Sequence, residues 1–201
     1  MRGGGVGFFV KEHLTVQILD QLSPFENKII EAVTISVAYP DKKPVILTSL
    51  YRSNGLIQNV TPSQQMERFI DKCAELLTQI QNLKSEAYLF MDSNIDLLKL
   101  NEQNSVNFLN LILEKSFLQG IGKATRFQNE SRSLIDQILI NKNCEKIYSG
   151  TLISDVSDHF FTFIVPPNRC KTSPQHHQNV LSRDYSLNNL NSFKTALSNN
   201  T

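Results

Sequence analysis

Eight apolar residues, Met66, Phe69, Ile70, Cys73, Leu76, Leu77, Ile80 and Leu83, recur at spacings of three and four. That period draws a single apolar stripe down an α-helix, and a stripe of this width must bury against a sheet. The start of the helix is also legible. Thr61 as N-cap, Pro62 at the first helical position and Gln64 at the third make a capping box. Cys73 lies on the stripe, which marks it as a core thiol.

What surrounds this helix reads mostly as strand. Residues 6–10, 15–19, 29–38 and 45–50 are short runs rich in β-branched or aromatic side chains, separated by turn residues. A second helix is predicted over residues 105–117 from Val106, Leu109, Ile112 and Leu113. Strands follow near residues 135–140, 147–153 and 160–165. Beyond Pro166-Pro167 the composition turns to Asn, Ser, Gln and His. The expected organisation is one domain over residues 1–166 and a polar tail over 167–201, where Leu187, Leu190, Phe193 and Leu197 could make one short amphipathic helix.

Composition excludes several classes. A chain of 201 residues holds one ordinary domain, and 40% hydrophobic with 19% charged residues is a globular balance. No apolar run approaches the roughly 20 residues needed to span a bilayer. The start, Met1-Arg2-Gly3-Gly4-Gly5, has no secretory pattern, so an intracellular location is expected. Three widely spaced cysteines, Cys73, Cys144 and Cys170, fit free thiols better than a disulfide framework or a zinc knuckle. The net charge of +1 does not mark a nucleic-acid binder, although Arg2, Arg52, Lys123, Arg126 and Arg132 all fall near expected loops.

Some motifs have plain explanations. The glycines of residues 3–7 precede a predicted strand and lack the Lys-Ser/Thr of a phosphate-cradling loop, so they read as a turn. Thr61 of Asn59-Val60-Thr61 serves as a helix cap rather than as part of a glycosylation acceptor. His176-His177 reads as a solvated pair in a polar linker, and His13 has no recognisable partner nearby.

Two polar stretches remain, and each adjoins an apolar run that should be buried. Asp92-Ser93-Asn94 follows Ala87-Tyr88-Leu89-Phe90, and Ser157-Asp158-His159 precedes residues 160–165. Polar groups at the ends of buried strands are held in register, as metal and general-base chemistry requires. Tyr51 at a strand end, Thr125 after a Gly-rich turn, and Asp136 at a strand start supply further groups. Any one alone is explained by a strand-end turn. The ordered set suggests cleavage of a phosphodiester.

In order and spacing these residues resemble the endonuclease/exonuclease/phosphatase superfamily, and most closely the apurinic-like endonuclease domain of non-LTR, LINE-type retrotransposons. Arg2 to Phe8 looks like its early Gly-rich strand, Tyr51-Arg52 like its strand-end tyrosine, and Leu89 to Asn94 like its Gly-Asp-Phe-Asn element. Ser133 to Ile138 is similar to the segment before the last strands, and Ser157-Asp158-His159 to the terminal signature. The tail from Ser182 is similar to the linker leading to a reverse transcriptase.

The resemblance implies an α/β protein of the α+β type: two packed β-sheets flanked by helices in a four-layer α/β/β/α sandwich, here without its first strands. It implies an Mg²⁺- (or Mn²⁺-) dependent endonuclease with DNA as partner, a downstream reverse transcriptase in a longer polyprotein, and the nucleus as the place of action. By resemblance His159 binds the scissile phosphate or assists proton transfer, and Asp136 orients its imidazole. Asp92 positions the attacking water and Asp158 is a metal ligand. Tyr51, Asn94, Thr125 and Arg126 contact phosphate or DNA. The family's first two strands carry an Asn and a metal-binding Glu. Glu12, Glu26 and Glu31 are the glutamates of the early strands, and none sits in that context. Met91 and Ser93 replace the usual Gly and Phe. The expectation is therefore an N-terminally incomplete copy, either an endonuclease or a catalytically inactive remnant that at most binds nucleic acid or protein. A phosphatase of small phosphoesters also lies within the fold.

Overall fold

A computed structural model describes residues 5–40, 42–129, 131–141, 147–154, 156–166, 191–192 and 194–196. The chain divides into two units, Met1–Arg169 and Cys170–Thr201. In the second unit, residues 191–192 and 194–196 are helical. Cys144, Cys170, His176, His177, Leu187, Leu190, Phe193 and Leu197 lie outside the described residues, as does most of the tail.

The capping box forms. Helix α1 (Pro62–Asn82) begins where the Thr61 hydroxyl accepts the Gln64 N–H at 3.2 Å and Gln64 Oε1 accepts the Thr61 N–H at 3.0 Å. It buries Phe69, Cys73, Leu76, Leu77 and Ile80 in one cluster with Leu50, Ala87, Leu89 and Met91 of the sheet. Burial pushes the Cys73 thiol up to about 12, so it stays protonated and inert. Gln65 is buried too, and its Nε2 donates to the carbonyls of Lys28 and Gly55 at 2.8 and 2.7 Å. These bonds tie the first turn of the helix to two loops. Lys84, at φ 49°, follows the helix end.

The helix connects β4 (Lys42–Tyr51) to β5 (Glu86–Asp92), which pair in parallel. A parallel pair needs such a crossover. Every other pairing in the sheet is antiparallel. Adding β1 (Val16–Ile18), β2 (Phe25–Glu26), β3 (Ile30–Tyr39), β6 (Leu118–Gln119) and β9 (Asp136–Ile140) gives a seven-stranded sheet in the order β1-β3-β4-β5-β9-β6, with β2 on β3. Helix α2 (Gln103–Glu114) contributes Phe108, Leu111 and Ile112 to the same core, and the Phe69 and Phe108 rings lie 5.9 Å apart. It stops short of the predicted residue 117 because Ser116 adopts φ 54°, after which Phe117 is buried from the following turn.

Two ribbons complete the first unit, β7 (Arg126–Gln128) with β8 (Ser131–Ser133), and β10 (Tyr148–Leu152) with β11 (Phe161–Val165). The mixed α/β architecture with several sheets flanked by helices is as expected. Among the described residues there is one large sheet and two ribbons, rather than two large sheets face to face.

Two expectations fail. Residues 6–10 form no strand, and Phe9 is fully exposed, with no pairing neighbour among the described residues. The run from Phe160 to Val165 is not buried as a block: Phe161, Phe163 and Val165 are exposed, while Thr162 and Ile164 are half-buried. Among the described residues strand β11 pairs with β10 alone, so one face of the ribbon lies open and only alternate residues are covered.

Replacing Thr61 with alanine removes the hydroxyl that accepts the Gln64 N–H and leaves the backbone N–H of residue 61 bonded to Gln64 Oε1. Thr61→Ala should lower unfolding stability by about 1 kcal/mol, read from the urea midpoint at unchanged slope.

Candidate active site at the sheet end

The site is built by strand register. Tyr51, the last residue of β4, lies opposite Asp92, the last residue of β5, and Asp92 lies opposite Asp136, the first residue of β9. Directly opposed residues share a sheet face, so the three form one row across three strands. On β3 the row continues to Glu31, opposite Tyr51. Sequence gave no means of placing Glu31 there, because its position depends on the β3–β4 hairpin register. All four side chains are half-buried.

Backbone pairing brings in the other polar stretch. Arg126 and His159 form an antiparallel bridge, flanked by Phe127 N–H donating to the Asp158 carbonyl at 2.8 Å and Phe160 N–H donating to the Thr125 carbonyl at 2.7 Å. The Thr125 hydroxyl accepts the N–H groups of Ile135 and Asp136 at 3.3 and 3.1 Å. Thr125 is fully buried, so it fixes the start of β9 and does not face solvent, where a contact with phosphate was expected. The outcome is a dyad. His159 Nδ1 lies 3.1 Å from each carboxylate oxygen of Asp136.

Asp92 sits within the same cluster, since one ligand atom each from Asp92, Asp136 and His159 lie within 4.8 Å of one another. Burial raises the Asp92 pKa, and the neighbouring Asp136 charge raises it further against the opposing pull of the Asn94 N–H, His159 and Arg126. Two carboxylates crowded in a half-buried cleft with an imidazole make a donor set that a divalent cation fits, because the cation would relieve the like-charge repulsion. Asp158, the expected metal ligand, is outside this group. Its Oδ2 accepts from Arg126 Nε at 2.7 Å, and that bond holds its carboxyl below the usual range. Arg126 also donates to Gln128 Oε1 at 3.2 Å, so its guanidinium is engaged by two side chains at a position that water still reaches.

A residue absent from the candidate set holds the Asp92 turn. Arg52 donates from its backbone N–H to the Asp92 carbonyl at 2.9 Å, from Nε to the Ser93 carbonyl at 2.5 Å, and from its terminal nitrogen to the Asn94 carbonyl at 3.0 Å. Asn94, at φ 49°, returns the contact by donating Nδ2 to the Arg52 carbonyl at 2.8 Å. The guanidinium lies 5.6 Å over the Phe69 ring. Burial lowers its pKa, and the Asp92 and Tyr51 charges oppose that shift. A planar fork on two consecutive carbonyls, Ser93 and Asn94, is a task that the point charge of lysine cannot perform. The position directly after the strand-end tyrosine was the available signal.

The fold is similar to that of solved structures. The chain superposes on the endonuclease domain of TRAS1, a telomere-specific non-LTR retrotransposon, with a TM-score of 0.54 and 14% identity over 76% of this chain and 66% of that one. A 3'-5' exonuclease from Neisseria meningitidis gives 0.48 and 15% over 66% and 64%, and an AP endonuclease from Archaeoglobus fulgidus gives 0.44 and 13% over 66% and 64%. The fold is the one found in endonuclease/exonuclease/phosphatase proteins. The TM-score with the retrotransposon endonuclease domain exceeds one half, and the chain spans 66% of that domain's length. No protein-family sequence profile matches the chain, and no curated protein matches it in sequence.

The Asp92 shift predicts a stability profile. A carboxyl whose folded pKa is raised binds its proton more tightly when folded, so it favours the fold at and below the ordinary carboxylate range. That contribution is lost as pH rises through the raised value. Asp92→Asn should therefore raise the urea midpoint at pH 7 without added metal and flatten its fall between acid and neutral pH. A midpoint lowered at pH 7 would contradict the electrostatic account.

Proposed function

We propose that the chain is a divalent-metal-dependent phosphodiesterase that nicks DNA, centred on Asp92, Asp136 and His159. The observation that carries this reading is their convergence within 4.8 Å from three segments far apart in sequence. With Nδ1 engaged by Asp136, the imidazole keeps Nε2 for the substrate. Asp136 fixes the tautomer and ring orientation, and the imidazole can then bind a phosphoryl oxygen or pass a proton through Nε2. Asp92, at the next register position, accepts a hydrogen bond from the attacking water. Tyr51 beside it donates to a phosphoryl oxygen, and so does the second amide hydrogen of Asn94, whose first is held by Arg52.

Asp92 and Asp136 would hold the cation, which would neutralise charge developing on the phosphate. Hard carboxylate oxygens suit Mg²⁺ or Mn²⁺, and the neighbouring imidazole favours the latter. Asp158 joins them only if it releases Arg126, which then becomes a cation available to the DNA backbone. The likeness to a retrotransposon endonuclease domain supports DNA over a small phosphoester, a reverse transcriptase as associated domain, and action in the nucleus. No helix among the described residues is long and apolar enough to cross a membrane.

The Arg126–Asp158 pair favours a second reading, in which the chain binds nucleic acid or protein without cutting. That pair withholds one carboxylate from the site, and among the described residues the group that could hold a cation is Asp92, Asp136 and His159, without a glutamate.

Supercoiled plasmid with Mg²⁺ or Mn²⁺ separates the two. On the phosphodiesterase reading, EDTA stops nicking, and Asp136→Asn and His159→Ala each slow it by roughly 10²-fold or more, while Tyr51→Phe costs about 10-fold. Mn²⁺ binding followed by calorimetry should weaken in Asp92→Asn. Absence of nicking, together with DNA binding indifferent to EDTA, would favour the second reading.

A further inference from the structure

A cavity of about 410 Å³ adjoins the dyad, and none of the roles assigned above uses it. Two of its walls are Phe127 and Phe160, whose rings stack with centroids 4.8 Å apart at 29°. Two more are cations, Lys123 and Arg132, and the Arg132 guanidinium lies 5.2 Å over the Phe127 ring. Leu98 and Ile153 complete its apolar side. No carboxylate is among the described residues that line it.

The position matters as much as the composition. Phe127 follows Arg126, and Phe160 follows His159, in the two segments that bridge through Arg126 and His159. Along an extended chain neighbouring residues face opposite ways, so the cavity and the dyad lie on the two sides of one backbone pairing. A polynucleotide crossing that pairing could present a phosphate to one and a base to the other. Aromatic faces take bases of any sequence, and cations without acidic neighbours take the phosphates that accompany them. An apolar polypeptide would be served by the phenylalanines alone and would leave two cations unpaired. The volume suits a single nucleoside and is too small for a base pair with its stacked neighbours.

We propose that this cavity is a subsite for one unpaired nucleotide of a DNA strand, with Phe127 and Phe160 as the stacking platform and Lys123 and Arg132 on the flanking phosphates. The proposal rests on the phosphodiesterase reading of the adjacent dyad. An intact duplex keeps its base faces inside the stack, so the subsite selects strands with an extruded or single-stranded nucleotide.

The test uses the full chain and two labelled probes, a 12-nucleotide single strand carrying 2-aminopurine and the same sequence as a perfect duplex. The single strand should bind more tightly than the duplex, and its 2-aminopurine fluorescence should be quenched on binding. Phe127→Leu and Phe160→Leu keep the apolar bulk and remove the π face. Each should weaken single-strand binding about 5- to 30-fold, relieve the quenching and leave duplex binding unchanged. Lys123→Gln and Arg132→Gln are at exposed positions and need no core repacking; each should lower the salt slope of single-strand binding by about one.

Unchanged affinity and quenching in folded Phe127→Leu, with unchanged salt slopes in both cation variants, would overturn the subsite. So would a sedimentation shift showing that these substitutions instead dissociate a dimer of this chain. Plasmid nicking distinguishes the two levels of argument. Retained nicking with no preference for the single strand defeats the subsite alone, whereas absent nicking with the preference intact defeats the catalytic reading and leaves a binding site.

Discussion

The parallel pairing of β4 with β5 is the constraint on which the site depends. It sets Tyr51 beside Asp92, and the antiparallel pairing of β5 with β9 then sets Asp92 beside Asp136. A slip of one residue in either ladder would turn a whole strand over and carry its polar end residue to the opposite face. What prevents the slip is the core under the helices. Leu50, Ala87, Leu89 and Met91 cluster with Phe69, Cys73, Leu76 and Leu77, and a reversed β5 would set the bulkier Tyr88 and Phe90 and the charged Glu86 and Asp92 against the helix in place of Ala87, Leu89 and Met91. The chemistry at the sheet end and the apolar stripe of α1 are thus consequences of one register.

Much of this could be read from sequence because it is local. The capping residues Thr61, Pro62 and Gln64 need only each other, so the start of α1 was readable to the residue. The strand ends carrying Asp92 and Asp136 were readable because an apolar run stops where each begins. Other features are not local. Glu31 enters the row through a hairpin register, and Arg52 acts on carbonyls some forty residues away, which no local pattern announces. Thr125 was legible as a polar group near the site, but its direction was not. Only the structure shows its hydroxyl taken by the Ile135 and Asp136 amides. Residues 6–10 and 160–165 show the opposite error, because β-propensity describes what a strand prefers and not whether a neighbour is there to cover it. Phe161, Phe163 and Val165 satisfy the strand pattern and still face outward.

The two arginines nearest the site differ in kind. Arg52 is inside, its donors fixed on consecutive carbonyls and its plane over an aromatic ring, so its charge is spent on holding the turn that carries Asp92. Arg126 is outside, on a carboxylate that water also reaches, and an ion pair so exposed contributes little to the fold and is readily exchanged. Its partner Asp158 has a lowered pKa, so whatever stability the pair contributes is present above the ordinary carboxylate range and lost as pH falls through the lowered value. Asp92 behaves in the opposite sense, favouring the folded state when protonated.

These opposed tendencies explain why an overall charge of +1 is a poor guide to what such a site can bind. The cluster of Asp92, Asp136 and His159 is strained by two like charges in partial burial, a strain that a cation or an imidazolium would relieve. A phosphodiester brings negative charge to a place that already has too much of it. It can settle there only if positive charge arrives with it or is released nearby, and the exchangeable Arg126 pair is one such source among the described residues. A fold that keeps its fixed cation on backbone carbonyls and its movable one on a surface carboxylate can change the charge of the site without disturbing the register that built it.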